Sequence, residues 1–171
     1  DEEVVELARV VDRGVRESEM IDLEKLVLVP GKIVYTIFVD CSILNADGNL
    51  FDATSYATVA ALLTAKLPIF EMQDQKVVDS GNTQPMPVTS MPVSITAARI
   101  GDHVLIDPSA EEEACMDSRI TITTTDEGFC ATQKGHTGSF MPDQIKKAAE
   151  AATIKGKEVR ARLKELLVNN G

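Results

Sequence analysis

Apolar positions in the opening stretch DEEVVELARVVDRGVRES recur at Val4, Ala8, Val11 and Val15, the spacing of one face of a helix. Three acids crowd its first turn, where the helix dipole favours negative charge. Away from that face, Arg9, Arg13 and Arg16 form a second stripe at spacings of four and three. The next segment, KLVLVPGKIVYTIFVDCSIL, reads as two strand-like runs divided by the turn dipeptide Pro30-Gly31. Between Ile33 and Leu44 both parities are apolar, which predicts a strand covered on both faces with Cys41 buried inside it. Asp47-Gly48 then reads as a hairpin-type turn, and ATSYATVAALLTA as a buried helix with Asp52 as its N-cap.

The pattern changes after Ala65. Three prolines (Pro68, Pro85, Pro87) and Ser80-Gly81 mark residues 68–87 as a connection that can hold a short hairpin. Beyond it, VSITAARIG and HVLID are strand runs joined by a tight turn, and RITITTT and GFCATQKG are two more around Asp126-Glu127-Gly128. A long helix is predicted from Pro142 to near Val168, apolar at Ile145, Ala148, Ala149, Ala152, Val159, Leu163 and Leu166. Asn169-Asn170-Gly171 supplies its stop. The reading is α+β, with a first unit over 1–67, the connection over 68–87 and a second, smaller unit over 88–171.

Composition narrows the classes. The chain has 171 residues, 44% of them hydrophobic, which is enough to bury a core. It carries no apolar run of membrane-spanning length and no signal-peptide pattern, so a soluble, cytoplasmic protein is expected, with no membrane partner. Asp1 in place of Met suggests a sequence that begins inside a longer protein. A net charge of −10 argues against nucleic acid binding over the whole surface while leaving room for a local basic site. Cys41, Cys115, Cys130, His103 and His136 contain no Cys-x-x-Cys pair and no ligand spacing, so neither a metal nor any other cofactor is expected.

Four stretches could carry chemistry. Glu111-Glu112-Glu113 with Asp117 reads as a solvated helix start after Asp107-Pro108, ahead of a cation site. QKGHTGS (133–139) has glycines, a lysine and hydroxyls but no Walker spacing, so it reads as a strand-to-helix loop. The arginine stripe could hold phosphates, yet Glu6–Arg9, Asp12–Arg16 and Arg13–Glu17 all stand at pairing distance along the helix. ADGNLFDA (46–53) flanks a turn with Asp47 and Asp52, and by itself demands nothing beyond a turn and a cap.

Taken together, ELARVVDRGVRES, GKIVYTIFVDCSILNADGNLFDATSYATVAAL, VLIDPSAEEE and the closing helix resemble the RNase PH family, and within it the non-catalytic RNase PH-like subunits of the archaeal exosome. The likeness runs from Glu6 to the end in consistent order, and lacks the strand-rich part that precedes the first helix in the family. It implies an RNase PH-like α+β fold: part of a first domain of split βαβ character (ribosomal S5 domain 2-like), and a smaller second α+β domain. It also implies a six-subunit ring in which catalytic and non-catalytic RNase PH-like subunits alternate, RNA-binding cap subunits, and single-stranded RNA threading the channel. Degradation there is phosphorolytic, from the 3′ end.

In phosphorolytic members the loop after the Asp-Gly turn resembles Gly-Thr-Arg-Thr-Ala and holds the phosphate. The matching positions here are Asn49, Leu50, Phe51, Asp52 and Ala53, which implies a degenerate phosphate loop with no catalytic residue. The resemblance also pairs Asp107 with an earlier acid six residues away, where this chain has Gly101 and, one step out, Asp102. Arg9 and Arg13, in ARVVDR, match arginines associated with RNA binding beside the catalytic neighbour. The implied role is a non-catalytic ring subunit that helps to bind RNA and shapes its partner's site. An active phosphorolytic exoribonuclease and a purely structural ring spacer are the alternatives.

Overall fold

A computed structural model describes residues 2–73 and 76–168. The expected helix stop at 169–171, and Asp1 of the acidic trio, lie outside the described residues. The chain runs α1 (Glu2–Glu17), a 3-10 turn (Leu23–Leu26), β1 (Val27–Val29), β2 (Ile33–Val34) and α2 (Leu50–Thr64). It continues through β3 (Lys66–Gln73), β4 (Lys76–Pro85), β5 (Val93–Ile100), β6 (His103–Ile106), α3 (Ala110–Cys115), β7 (Ser118–Thr124), β8 (Phe129–Gly135) and α4 (Pro142–Val168).

The centre is an antiparallel sheet in the order β6-β5-β7-β8. Its two middle strands are covered on both sides, and alternation gives the faces different chemistry. Val93, Ile95, Ala97, Ile120 and Ile122 face α4, where Ala148 and Ala152 let the helix come close. The intervening residues Ser94, Thr96, Thr121 and Thr123 face α1 and α2 and are bonded across the strands: Ser94 Oγ to Thr123 Oγ1 at 2.9 Å, Thr96 Oγ1 to Thr121 Oγ1 at 2.9 Å. The helices on that side answer in kind. Ser55 Oγ of α2 donates to Ser94 Oγ at 3.1 Å, and Tyr56 Oη donates to the Ser94 carbonyl at 2.9 Å.

Several expectations change. The buried face of α1 is Leu7, Val10, Val11 and Gly14, with Val4 and Ala8 exposed. Both stripes have helical spacing, and contact with Phe51 of α2 and with the sheet selects the first. α2 begins at Leu50 with Asn49 as its N-cap, three residues before the expected cap. That helix is not buried all round, since Ala53, Ala57 and Ala61 are exposed. The expected strand Ile33–Leu44 shrinks to β2. Beyond the Tyr35 N–H bond to the Leu26 carbonyl, no described strand lies beside it to take up its backbone groups. Phe38 is 83% and Leu44 97% exposed, and Cys41, expected to be buried, is exposed with its Sγ 3.4 Å from Thr58 Oγ1. On α4, Ile145 and Leu166 of the expected apolar face are exposed, while Arg160 is buried against Thr124 and Asp126.

β3 and β4 pair as a long antiparallel ladder over residues 66–73 and 76–85. Its base packs with Met20, Leu26, Val59 and Leu62 in a second apolar cluster.

Candidate functional site

The turn that leads into α2 is pressed against the start of α3. Gly48 sits at φ +94°, and a Cβ there would lie 2.5 Å from the Pro108 carbonyl oxygen. Only glycine fits both the dihedral and the gap. The next residue, Asn49, is left-handed (φ 45°, ψ 48°) and its side-chain oxygen accepts from Asp52 N at 3.4 Å. Its amide Nδ2 donates to Asp52 Oδ2 at 2.9 Å and to Asp107 Oδ1 at 2.6 Å, while its backbone N donates to Glu113 Oε1 at 3.0 Å.

One asparagine therefore gathers three carboxylates. Two of them, Asp107 and Glu113, are six residues apart. Gly101, where the resemblance placed an acid six residues before Asp107, is at the tip of the β5–β6 hairpin with Asp102, at the far end of β6 from this cluster. Glu113 escaped the sequence reading because it was counted in an acidic run.

Asp52 is 4% exposed and points into the protein. Its carboxylate accepts from Thr96 N at 2.9 Å and from Thr96 Oγ1 at 2.7 Å, besides Asn49. Burial is the largest effect on it and outweighs these donors, so its pKa rises from 3.8 to about 6, with a small further push from Asp107. Burial, then the charges of Asp52 and Asp107, also raises the Tyr56 hydroxyl above the ordinary phenol range.

Beside this network Leu50 and Phe51 line a pocket of about 360 Å³ with Glu3, Glu6, Glu113, Arg119 and His136. The Arg119 guanidinium lies 3.7 Å from the Phe51 ring centroid, and its Nη2 pairs with Glu6 Oε1 at 2.8 Å. The buried cation of the pocket is thus neutralised from α1 and capped by an aromatic ring. Three carboxylates line the same walls.

The diversion of Glu6 to Arg119 frees Arg9, one turn further along α1. Arg9 is exposed and has no ion pair among the described residues. Arg13 does not pair with Glu17 either; its Nη1 donates to Gln133 Oε1 of β8 at 2.8 Å. Arg16 differs, pairing with Asp12 at 3.4 Å and Glu17 at 3.6 Å. Of the stripe, then, Arg9 and Arg13 keep uncompensated charge. They lie about 4.5 and 10.5 Å along the helix axis from Glu6, at 1.5 Å per residue. The stretch 133–139, expected as a loop, is the end of β8 as far as Gly135; it brings Gln133 to Arg13 and His136 to the pocket, so two stretches read separately in the sequence meet here.

Comparison with known proteins gives a consistent answer. Domain 1 of the 3′ exoribonuclease family matches residues 1–68 and domain 2 matches residues 90–155. The exosome complex component Rrp42 of Thermococcus gammatolerans is 46% identical over 168 residues, covering 96% of this chain and 62% of the relative. Its counterpart from Methanothermobacter thermautotrophicus is 48% identical over 157 residues, covering 91% and 58%. Among solved structures, a chain of the Archaeoglobus fulgidus exosome with RNA bound to the active site superposes with a TM-score of 0.85 at 38% identity, covering 95% of this chain and 62% of that one. A chain of an archaeal exosome core gives 0.86 at 37% identity, covering 96% and 64%. The chain spans about three-fifths of the length of these proteins.

Proposed function

This chain belongs to the 3′ exoribonuclease family, with an RNase PH-like α+β fold, and from that premise we propose that it is a non-catalytic subunit of an archaeal-type exosome ring. In this reading it alternates with a catalytic RNase PH-like subunit under RNA-binding cap subunits, in the cytoplasm. It binds single-stranded RNA through Arg9 and Arg13 and leaves the phosphorolytic chemistry to its neighbour. The named relatives are exosome components, and one solved neighbour holds RNA.

The observation that carries the proposal is the state of the pocket beside Phe51. Attack by inorganic phosphate needs cationic donors around the anion. Here the matching positions Asn49, Leu50, Phe51 and Asp52 cap and open α2, the Arg119 charge is spent on Glu6, and Glu3 and Glu113 face the same space. A phosphate entering would meet carboxylates. Arg9 and Arg13, by contrast, present charge with no acid paired to it among the described residues, and phosphate contacts of this kind hold a strand without reading its bases.

The test is phosphorolysis by purified components. Alone, the chain should release no nucleoside diphosphate from a single-stranded oligoribonucleotide at saturating phosphate. A full-length form reconstituted with a catalytic RNase PH-like subunit should degrade the same RNA. Phosphate-dependent product from the chain alone, surviving removal of contaminating nuclease, overturns the proposal.

A further inference from the structure

We propose that Gln133 is a positioning residue for Arg13, holding its guanidinium ready for an RNA phosphate. This inference rests on the RNA-binding reading of α1 given above. The two residues are 120 positions apart, one in each of the regions matched by the family's two domains. They meet because β8 packs against α1. Gly135, two residues on, lies so close that a Cβ would stand 2.5 Å from Arg119 Nη2 and 3.0 Å from Glu6 Oε1.

The Gln133 amide is held at both ends. Its Nε2 donates to the Lys134 carbonyl at 3.3 Å, which turns Oε1 towards Arg13 Nη1 at 2.8 Å. The backbone beneath it is fixed in the β7–β8 ladder opposite Thr121. A guanidinium has five N–H donors, so one bond to the amide leaves the others for a phosphate.

The acceptor is neutral, and that is its advantage. A carboxylate in this position would fix the arginine equally well but cancel its charge, as Asp12 and Glu17 do for Arg16. An amide oxygen orders the side chain and leaves the charge in place. Ordering a long, rotamer-rich side chain before binding, instead of during it, is worth roughly 2- to 10-fold in affinity.

The experiment measures affinity for a single-stranded oligoribonucleotide across a salt series, using the assembled ring with wild-type chain, Gln133→Met, Arg13→Ala, the double variant and Gln133→Glu. Methionine keeps the length of glutamine and removes the acceptor; size-exclusion chromatography checks that each ring is intact. Gln133→Met should weaken binding roughly 2- to 10-fold with an unchanged salt slope, and should have no further effect once Arg13 is alanine. Gln133→Glu should weaken binding and make the slope shallower by about 0.7, the share of one phosphate contact on a single strand. If Arg13→Ala weakens binding and Gln133→Met does not, positioning is refuted while the RNA-binding reading stands. If Gln133→Met acts equally with and without Arg13, Gln133 works independently and the inference is again refuted. If Arg13→Ala leaves affinity and slope at wild-type values, the RNA-binding reading of that arginine fails, and positioning with it.

Discussion

Replacing Asp52 by asparagine should change how stability depends on pH more than it changes stability itself. The native pKa of about 6 stands roughly two units above the ordinary carboxylate value of 3.8, so the folded protein binds this proton more tightly than the unfolded chain. Between those two values the folded state holds a proton that the unfolded state lacks. Raising the pH through this window therefore lowers stability, and the loss is complete above about pH 6. At about 1.4 kcal/mol per unit, the difference across the window is about 2–3 kcal/mol. Asparagine should fit the site: its oxygen accepts from Thr96 N and Asn49 Nδ2. Its amide nitrogen can donate to Thr96 Oγ1 when that hydroxyl turns its own proton to Thr121 Oγ1, 2.9 Å away. The assay is urea unfolding of wild type and Asp52→Asn at about pH 4 and about pH 7.5, taking the difference so that other titrating groups cancel. The variant should gain about 2–3 kcal/mol on the wild type between the two conditions. A difference that stays constant within about 0.5 kcal/mol refutes the reasoning. Asp52 would then be a carboxylate fully satisfied as an anion by its three donors.

Other expectations are simpler to state. Arg9→Ala with Arg13→Ala in the assembled ring should weaken RNA binding similarly for different sequences and make the slope of log affinity against log salt shallower by about 1.4, with unfolding unchanged. Affinity and slope at wild-type values would leave both as ordinary solvated arginines and favour a purely structural spacer. Gly48→Ala should cost more than about 1 kcal/mol in urea unfolding, because it combines a positive φ with a collision at Pro108; a neutral effect would mean that the loop is not tied to the start of α3. The chain should self-associate through residues 33–45, where Phe38 and Leu44 are exposed on backbone with few partners, and Phe38→Lys should reduce this in light scattering. A wild-type chain that stays monomeric at high concentration contradicts that expectation.

Local signals announced most of the second half of the chain. The alternation in VSITAARI and RITITTT, the turns after Ile100 and Thr124, and the long helical period from Pro142 all form where the sequence put them, because each pattern is complete within its own segment. The first half obeyed less local rules. Two apolar stripes compete on α1, and packing on Phe51 picks Leu7 and Val10 over Val4 and Ala8. A strand is defined by the strand beside it, so the run from Ile33 to Leu44 could not be settled from its own residues. The same holds for the site. Charge spacing along α1 offered Glu6–Arg9 and Arg13–Glu17 pairs, yet both partners were taken from β7 and β8, more than a hundred residues away. Asp52 read as a cap at the surface and is a buried acceptor, since nothing local foretells Thr96 beneath it.

The two faces of the central sheet set different rules for what substitutions the molecule can absorb. On the α4 side the neighbours of Ile95 and Ile122 are other hydrocarbons, and an exchange that preserves volume can be accommodated by small shifts. On the α2 side, Thr96→Val changes the volume hardly at all and still removes one partner each from Asp52 and Thr121. A mutational scan graded by size alone would call the two faces alike; one graded by hydrogen-bond complement would separate them. The side that carries the candidate site is therefore the side where drift is most constrained, and a change at Thr96, Thr121 or Thr123 demands a second change across the helix–sheet boundary to restore what it broke.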